Sequence, residues 1–284
     1  MPLYVPGQSS ARISADGDEM TRVGGNDMSF TQWRVVRQGE TDAALVAVDF
    51  GIGRPGAGMA DLAQRLSFSG WILESRPPAQ AGMTVDRYVD ELLADLRSSD
   101  LMIRGVLGYC AGSNVAGMLH RRLSVEGDLP LVLLDPARVT AETLRAEFVT
   151  AVRTLAQWAV EAGAPTEALL PVRDPSLDLD PAELDDIAAA LHVEYARLAR
   201  ETLQELKMPA KVAEQLATRV ATYLRYLALC GRVEDSPGDV AMCIHSRAVP
   251  PCGRDGVDCL QPAVELGELF LDRDVAALVD DRVG

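Results

Sequence analysis

The chain has 284 residues, 48% of them apolar and only 5% aromatic, so a sizeable core is available and must be built mainly from Leu, Val and Ala. A formal net charge of −15, with Lys207 and Lys211 the sole lysines, argues against nucleic acid and anionic membrane surfaces, which both need clustered positive charge. No run reaches the length of a membrane span. The N-terminus lacks a basic segment followed by an apolar run, so it does not read as a signal peptide, and the expected location is the cytoplasm. In that setting the five cysteines read as free thiols.

Residues 1–29 are polar and rich in Gly and Ser, and read as a flexible lead-in. Residues 30–37 alternate as a strand does, and 44–50 (ALVAVDF) form an apolar run suited to a strand covered on both faces. A glycine-rich stretch, GIGRPGAG, precedes a helical pattern, and 70–75 (GWILES) read as a short strand. Residues 84–98 are amphipathic with Thr84 as N-cap. The strand 101–109, the helix behind it and the strand 129–135 continue an alternation that predicts a mostly parallel sheet flanked by helices.

From 139 to 229 the pattern becomes almost wholly helical. Three long helices are predicted, the second opened by Asp180 as cap and Pro181 as first helical residue. Strands follow at 239–248 and near 262–266, and then a final helix. The expected architecture is an α/β core formed by 30–138 and 230–284, with a helical lid, 139–229, inserted between strands.

The most informative residues are Gly108-Tyr109-Cys110-Ala111-Gly112. They follow the G-x-S-x-G spacing with Cys in place of Ser. Small residues two before and two after the nucleophile let a strand and the following helix approach closely around a strained turn. The helix N-terminus behind Cys110 favours a thiolate, and the N–H of Ala111 supplies half of an oxyanion hole. The plainer alternative is a buried cysteine in a tight strand–helix turn.

The run from about 44 to 138 resembles the thioesterase domains and stand-alone thioesterases of nonribosomal peptide and polyketide synthesis, which are α/β-hydrolases with a helical lid. GYCAGSNVAGMLHRRL is similar to their elbow and the helix behind it. LVLLDPARV is similar to the strand that carries the acid of their triad, and places Asp135 there. VDFGIG is similar to the loop that gives the second oxyanion donor, here Gly51 or Ile52. The resemblance implies acyl transfer by hydrolysis, cyclisation or carrier-to-carrier exchange through a Cys110 acyl-enzyme. It also implies an acyl or peptidyl carrier protein as partner and a substrate borne on phosphopantetheine, with no cofactor of the protein's own.

The chain departs from that pattern at the general base. The family's histidine lies before the final helix, where VELGELFLDRD has none and Leu269 stands near its place. His120 lies behind the elbow and His192 in the lid, which leaves His245, at a strand end, as the candidate base. A broken triad in a non-catalytic acyl- or carrier-binding protein is the rival reading.

Two further constellations compete. Cys243, His245, Cys252 and Cys259 fall close together and could hold zinc, although they lack a C-x₂-C knuckle and free loop cysteines are the simpler account. If zinc is bound there, His245 cannot be the base. Gly51–Gly56 matches G-x-G-x-x-G, with Glu74 at the end of the next strand, as in a dinucleotide-binding oxidoreductase. Pro55 would remove a backbone donor from that phosphate cradle, and the elbow would be left unexplained. The Arg121–Arg122 pair reads either as a contact for a phosphopantetheine arm or as ordinary surface charge.

Overall fold

The computed structural model describes residues 29–50, 57–78, 80, 82–126, 128–162, 179–233, 242–251 and 257–283. Seven strands form one sheet in the order β1-β3-β2-β4-β5-β6-β7. They are β1 (Trp33–Arg37), β2 (Ala43–Val48), β3 (Trp71–Ser75), β4 (Met102–Tyr109), β5 (Leu131–Leu134), β6 (Met242–Ile244) and β7 (Asp258–Leu260). β1 pairs antiparallel to β3, and every other pairing is parallel. This order, with an elbow at the end of central β4 and a helical insertion after β5, is an α/β-hydrolase fold.

The parallel strands are apolar on both faces because helices cover both. One face of the sheet packs α2 (Val85–Arg97), α3 (Gly112–Leu123) and the insertion through a core that includes Val46, Val106, Leu133 and Cys243. The other face packs α1 (Met59–Ala63) and α7 (Arg273–Val283) through Leu45, Leu107, Leu134 and Ile244. The period of two along each strand sorts these residues between the two cores. Thr84 caps α2 as expected, its side chain accepting from the Arg87 N–H.

The insertion comprises α4 (Ala141–Glu161), α5 (Leu184–Glu205) and α6 (Ala210–Gly231). α5 begins later than the sequence suggested. Asp180 and Pro181 belong to a turn in which the Asp180 side chain and carbonyl accept from Ala182 and Glu183, and Glu183 becomes the N-cap. The short turn satisfies locally the donors that a helix start would have presented. β7 likewise lies earlier than the predicted 262–266, because Cys259 pairs with Cys243 and leaves Pro262, which lacks a ladder donor, beyond the strand. Among the described residues no helix is long and apolar enough to cross a membrane.

Candidate active site at the elbow

Cys110 follows β4 directly and has φ +50°, in the left-handed region that an L-residue adopts at a cost of about 1–2 kcal/mol. That conformation turns the chain from strand into α3 within one residue. It is held from several sides: the Cys110 N–H donates to the Leu134 carbonyl at 2.9 Å, and its carbonyl accepts from Ser113 and Ala137, both at 3.2 Å. The turn is thus tied to the end of β5 and to the loop beyond it.

The two glycines are required by contact. A Cβ on Gly108 would lie 2.8 Å from both Ala116 Cβ and Ser113 Cα, and one on Gly112 would lie 2.4 Å from the Val48 carbonyl oxygen. Ala111 is the N-cap of α3, so its N–H lies ahead of the helix's own ladder, beside the nucleophile position. Gly51 and Ile52, expected to give the second oxyanion donor, lie outside the described residues, as does the G-x-G-x-x-G segment. Glu74, the carboxylate required by the dinucleotide reading, is buried and paired with Arg34, its direct neighbour on β1. Its charge is therefore met within the sheet.

Asp135 stands one strand over from Cys110 and also has a positive φ, +44°. It is 2% exposed. One carboxylate oxygen, Oδ1, accepts from the Ser246 N–H at 2.6 Å, while Oδ2 is buried with no hydrogen-bond partner among the described residues. Burial raises its pKa above the usual carboxylate value, against the opposing effects of the Ser246 hydrogen bonds and the nearby His245.

His245 is fully buried at the end of β6, the next strand, and its N–H donates to the Leu260 carbonyl of β7. Cys110, Asp135 and His245 therefore mark three consecutive strand ends, in the order expected. One ring nitrogen of His245 lies within 4.8 Å of the sulfurs of Cys243 and Cys259, on the side of the sheet edge. Cys252 lies outside the described residues. Leu269 is fully buried in the opposite core, next to Phe270, whose ring packs tilted against Tyr109 with centroids 4.8 Å apart. The position at which the resemblance implied a histidine is filled by apolar packing.

The other histidines are placed away from the elbow. His120 lies eight residues past the start of α3, about 12 Å along its axis, and its Nε2 meets the Leu129 carbonyl at 2.6 Å. His192 lies on α5, where burial and Arg225 lower its pKa. Arg122 is engaged with Asp86 and Asp90 and ties α3 to α2. Arg121 lines a groove of about 500 Å³ with Thr84, Met118 and Arg232, but Arg232 already pairs with Asp185 at 3.0 Å.

The residues that sequence reasoning missed come from α6. Tyr223, Tyr226 and Cys230 recur at helical spacing and face the elbow end of the sheet. The Phe50 ring lies 5.0 Å from Tyr223 and 5.3 Å from Tyr226. The Tyr226 hydroxyl sits directly over Gly112 and beside the Cys230 thiol, whose pKa burial pushes well up. Asn114, in the first turn of α3, donates to the Cys230 carbonyl at 3.3 Å. The insertion is thus anchored on the helix that backs Cys110. The 3-4-7 spacing of these residues was visible in the sequence, but not the element it would meet.

No protein-family profile matches the chain, and no curated protein matches it in sequence. Among solved structures it is similar to the Vlm2 thioesterase domain with genetically encoded 2,3-diaminopropionic acid bound with a dodecadepsipeptide, at 16% identity over 89% of this chain and 98% of that one, TM-score 0.47. It is similar to the NocB thioesterase domain in covalent complex with a fluorophosphonate nocardicin G analogue, at 17% identity over 89% and 100%, TM-score 0.47. A third is the type II thioesterase BorB from the borrelidin biosynthetic cluster, at 14% identity over 89% and 98%, TM-score 0.48.

Proposed function

We propose that the protein is an acyl-transfer enzyme acting on thioesters through a Cys110 acyl-enzyme. The observation that carries this is the backbone of Cys110: a non-glycine residue at φ +50°, between two glycines with no room for a Cβ, at the junction of a central strand and a helix. A structural cysteine gains nothing from that strain, whereas a nucleophile is thrust out over the end of the sheet by it.

The thiolate of Cys110 attacks the thioester carbonyl carbon, the bond to the carrier's sulfur breaks, and the departing thiolate takes up the proton that Cys110 released. Acylation of this kind exchanges one sulfur for another. It needs no strong base, because a thiol is already partly ionised near neutral pH and the first turn of α3 favours the anion. A cysteine therefore tolerates the loss of the histidine that a serine would require. The developing oxyanion is assigned to the N–H of Ala111 and to a donor from Gly51 or Ile52.

Asp135 is assigned as proton acceptor when the second nucleophile resolves the acyl-enzyme, a role that a carboxyl raised by burial fills better than an ordinary one. Water is a poor nucleophile under so weak a base, so the reading favours transfer to a thiol or amine, or cyclisation, over hydrolysis. The substrate is assigned to an acyl or peptidyl group on the phosphopantetheine arm of a carrier protein, on the resemblance of the elbow and the Asp135 strand to carrier-dependent thioesterases. α4–α6 would be the lid, anchored at Gly112 and Asn114.

The test is intact-protein mass spectrometry after mixing with a panel of acyl-phosphopantetheine thioesters. An acyl adduct on the wild type that is absent from Cys110→Ala supports the reading, and its lifetime with water, thiol or amine acceptors separates hydrolase from transferase. No adduct and no turnover across the panel, with Cys110 slow to alkylate, would instead make the fold a binding module.

A further inference from the structure

Three side chains that the acyl-transfer steps above do not use converge at the β6–β7 edge of the sheet. Cys243 lies on β6 and His245 directly follows its last residue, so the two, two positions apart, share a face. Cys259 on β7 is the direct register partner of Cys243, which puts its side chain on that same face. The two sulfurs and one ring nitrogen of His245 all lie within 4.8 Å of one another. Cys243 and His245 are fully buried and Cys259 is half-buried.

A tetrahedral zinc ion, about 2.3 Å from sulfur and about 2.0 Å from nitrogen, sets its ligand atoms roughly 3.6–3.8 Å apart. The three side chains need to close by no more than about 1.2 Å to meet that geometry, a distance covered by small torsional changes. Two adjacent strands hold the ligand set, so the register of the ladder fixes it in advance, without the C-x₂-C knuckle that zinc ribbons use.

We propose that Cys243, His245 and Cys259 form a zinc-binding site. Charge selects the ion: two thiolates offset Zn²⁺ fully, so a formally neutral centre is buried, whereas Cu⁺ would leave a net negative charge in the core. On binding, Zn²⁺ displaces the protons of the two thiols, which leave to solvent, and His245 ligates as the neutral ring. The half-buried side, at Cys259, leaves the fourth position to a water. Asp135, next to His245 across the β5–β6 pair, supplies the carboxylate against which metal-bound histidines are commonly oriented, and its buried Oδ2 has no other hydrogen-bond partner among the described residues. The site would clamp the three-residue edge strand β7 to the sheet. It shares Asp135 with the acyl-transfer reading but does not rest on it.

The test uses the full chain, reduced with a phosphine and stripped with a chelator, titrated with Co²⁺ and then with Zn²⁺. The expected result is a single equivalent of Co²⁺ with tetrahedral ligand-field bands and a thiolate-to-cobalt charge-transfer band, displaced by Zn²⁺. Cys259→Ser, at the half-buried position, is expected to weaken binding at least a hundredfold and to reduce the charge-transfer band, while Cys110→Ser and Cys230→Ala leave both unchanged. Zinc at a hundredfold excess over its Kd is expected to raise the Tm of the wild type by about 4–5 °C, but not that of Cys259→Ser. Absence of the charge-transfer band, its retention in both Cys259→Ser and Cys243→Ser, or its loss in Cys110→Ser would overturn the assignment. None of these readouts requires an active enzyme.

Discussion

Replacing Gly112 by Ala tests the elbow through a single methyl group. The new Cβ would lie 2.4 Å from the Val48 carbonyl oxygen, 3.0 Å from its carbon and 2.5 Å from the Tyr226 hydroxyl, so something must move by nearly 1 Å. Val48 sits at the end of β2, in register with Gly108 of β4, and cannot retreat without disturbing the ladder. Tyr226 is 2% exposed and its ring is held by Phe50, so its hydroxyl cannot swing away. Overpacking ordinarily costs about 1–3 kcal/mol, and two unyielding partners place this case near about 3. Gly108→Ala meets Ala116 Cβ and Ser113 Cα at 2.8 Å but also the flexible end of Leu133, and should cost about 2 kcal/mol. Gly267→Ala, with nothing within 4 Å, is the control and should stay within about 0.5 kcal/mol. Urea unfolding followed by circular dichroism measures the three values, and the alkylation rate of Cys110 reports whether the turn has been displaced. If Gly112→Ala proves as stable as the control and Cys110 reacts at the wild-type rate, the close approach of β2, α3 and α6 is wrong, and the account of the elbow falls with it.

Arg34→Ala should cost about 2 kcal/mol, because it removes the guanidinium that pairs with the Glu74 carboxylate, 2% exposed; the further change Glu74→Gln should recover part of the loss in a double-mutant cycle. Asp135→Asn should stabilise the fold and slow resolution of the acyl-enzyme. The pKa of Asp135 is raised in the folded state, so wild-type stability falls as pH climbs from its unfolded value near 3.8 through the folded one; the advantage of the variant should be absent in acid, grow above about pH 4 and then level off in pH-dependent unfolding curves. A variant advantage that is constant with pH would count against a raised native pKa. His245→Gln, in material shown to be folded, should acylate Cys110 within tenfold of the wild-type rate by rapid-quench mass spectrometry; a drop of a hundredfold or more would make His245 the general base. Tyr226→Phe should change stability by less than about 1 kcal/mol, since the hydroxyl is buried with the weakly bonding Cys230 thiol as neighbour, and a larger loss in denaturation would show that the hydroxyl holds α6 on the elbow.

Local pattern alone determined much of this protein. The continuous apolar run of β2, the alternation of strand and helix patterns, the amphipathic run behind Thr84 and the Gly108–Gly112 pentapeptide each depend on neighbours a few residues away, and they led to a parallel sheet with an elbow at Cys110 and Asp135 at the next strand end. Asp180 and Pro181 showed the limit of such signals: a cap residue announces a turn as readily as a helix start, and here the turn came first. Tertiary structure decided what sequence spacing could not measure. Cys243 and Cys259 are sixteen residues apart in the chain, and only the β6–β7 register makes them direct neighbours. Tyr226 and Cys230 lie over a hundred residues beyond Gly112, and only the packing of α6 on α3 sets them over the elbow. The fate of His245 follows the same rule: its type and strand were legible, but its company, two thiols and a carboxylate, is a property of pairing across the sheet, which depends on contacts between distant segments and leaves no periodic mark in the chain.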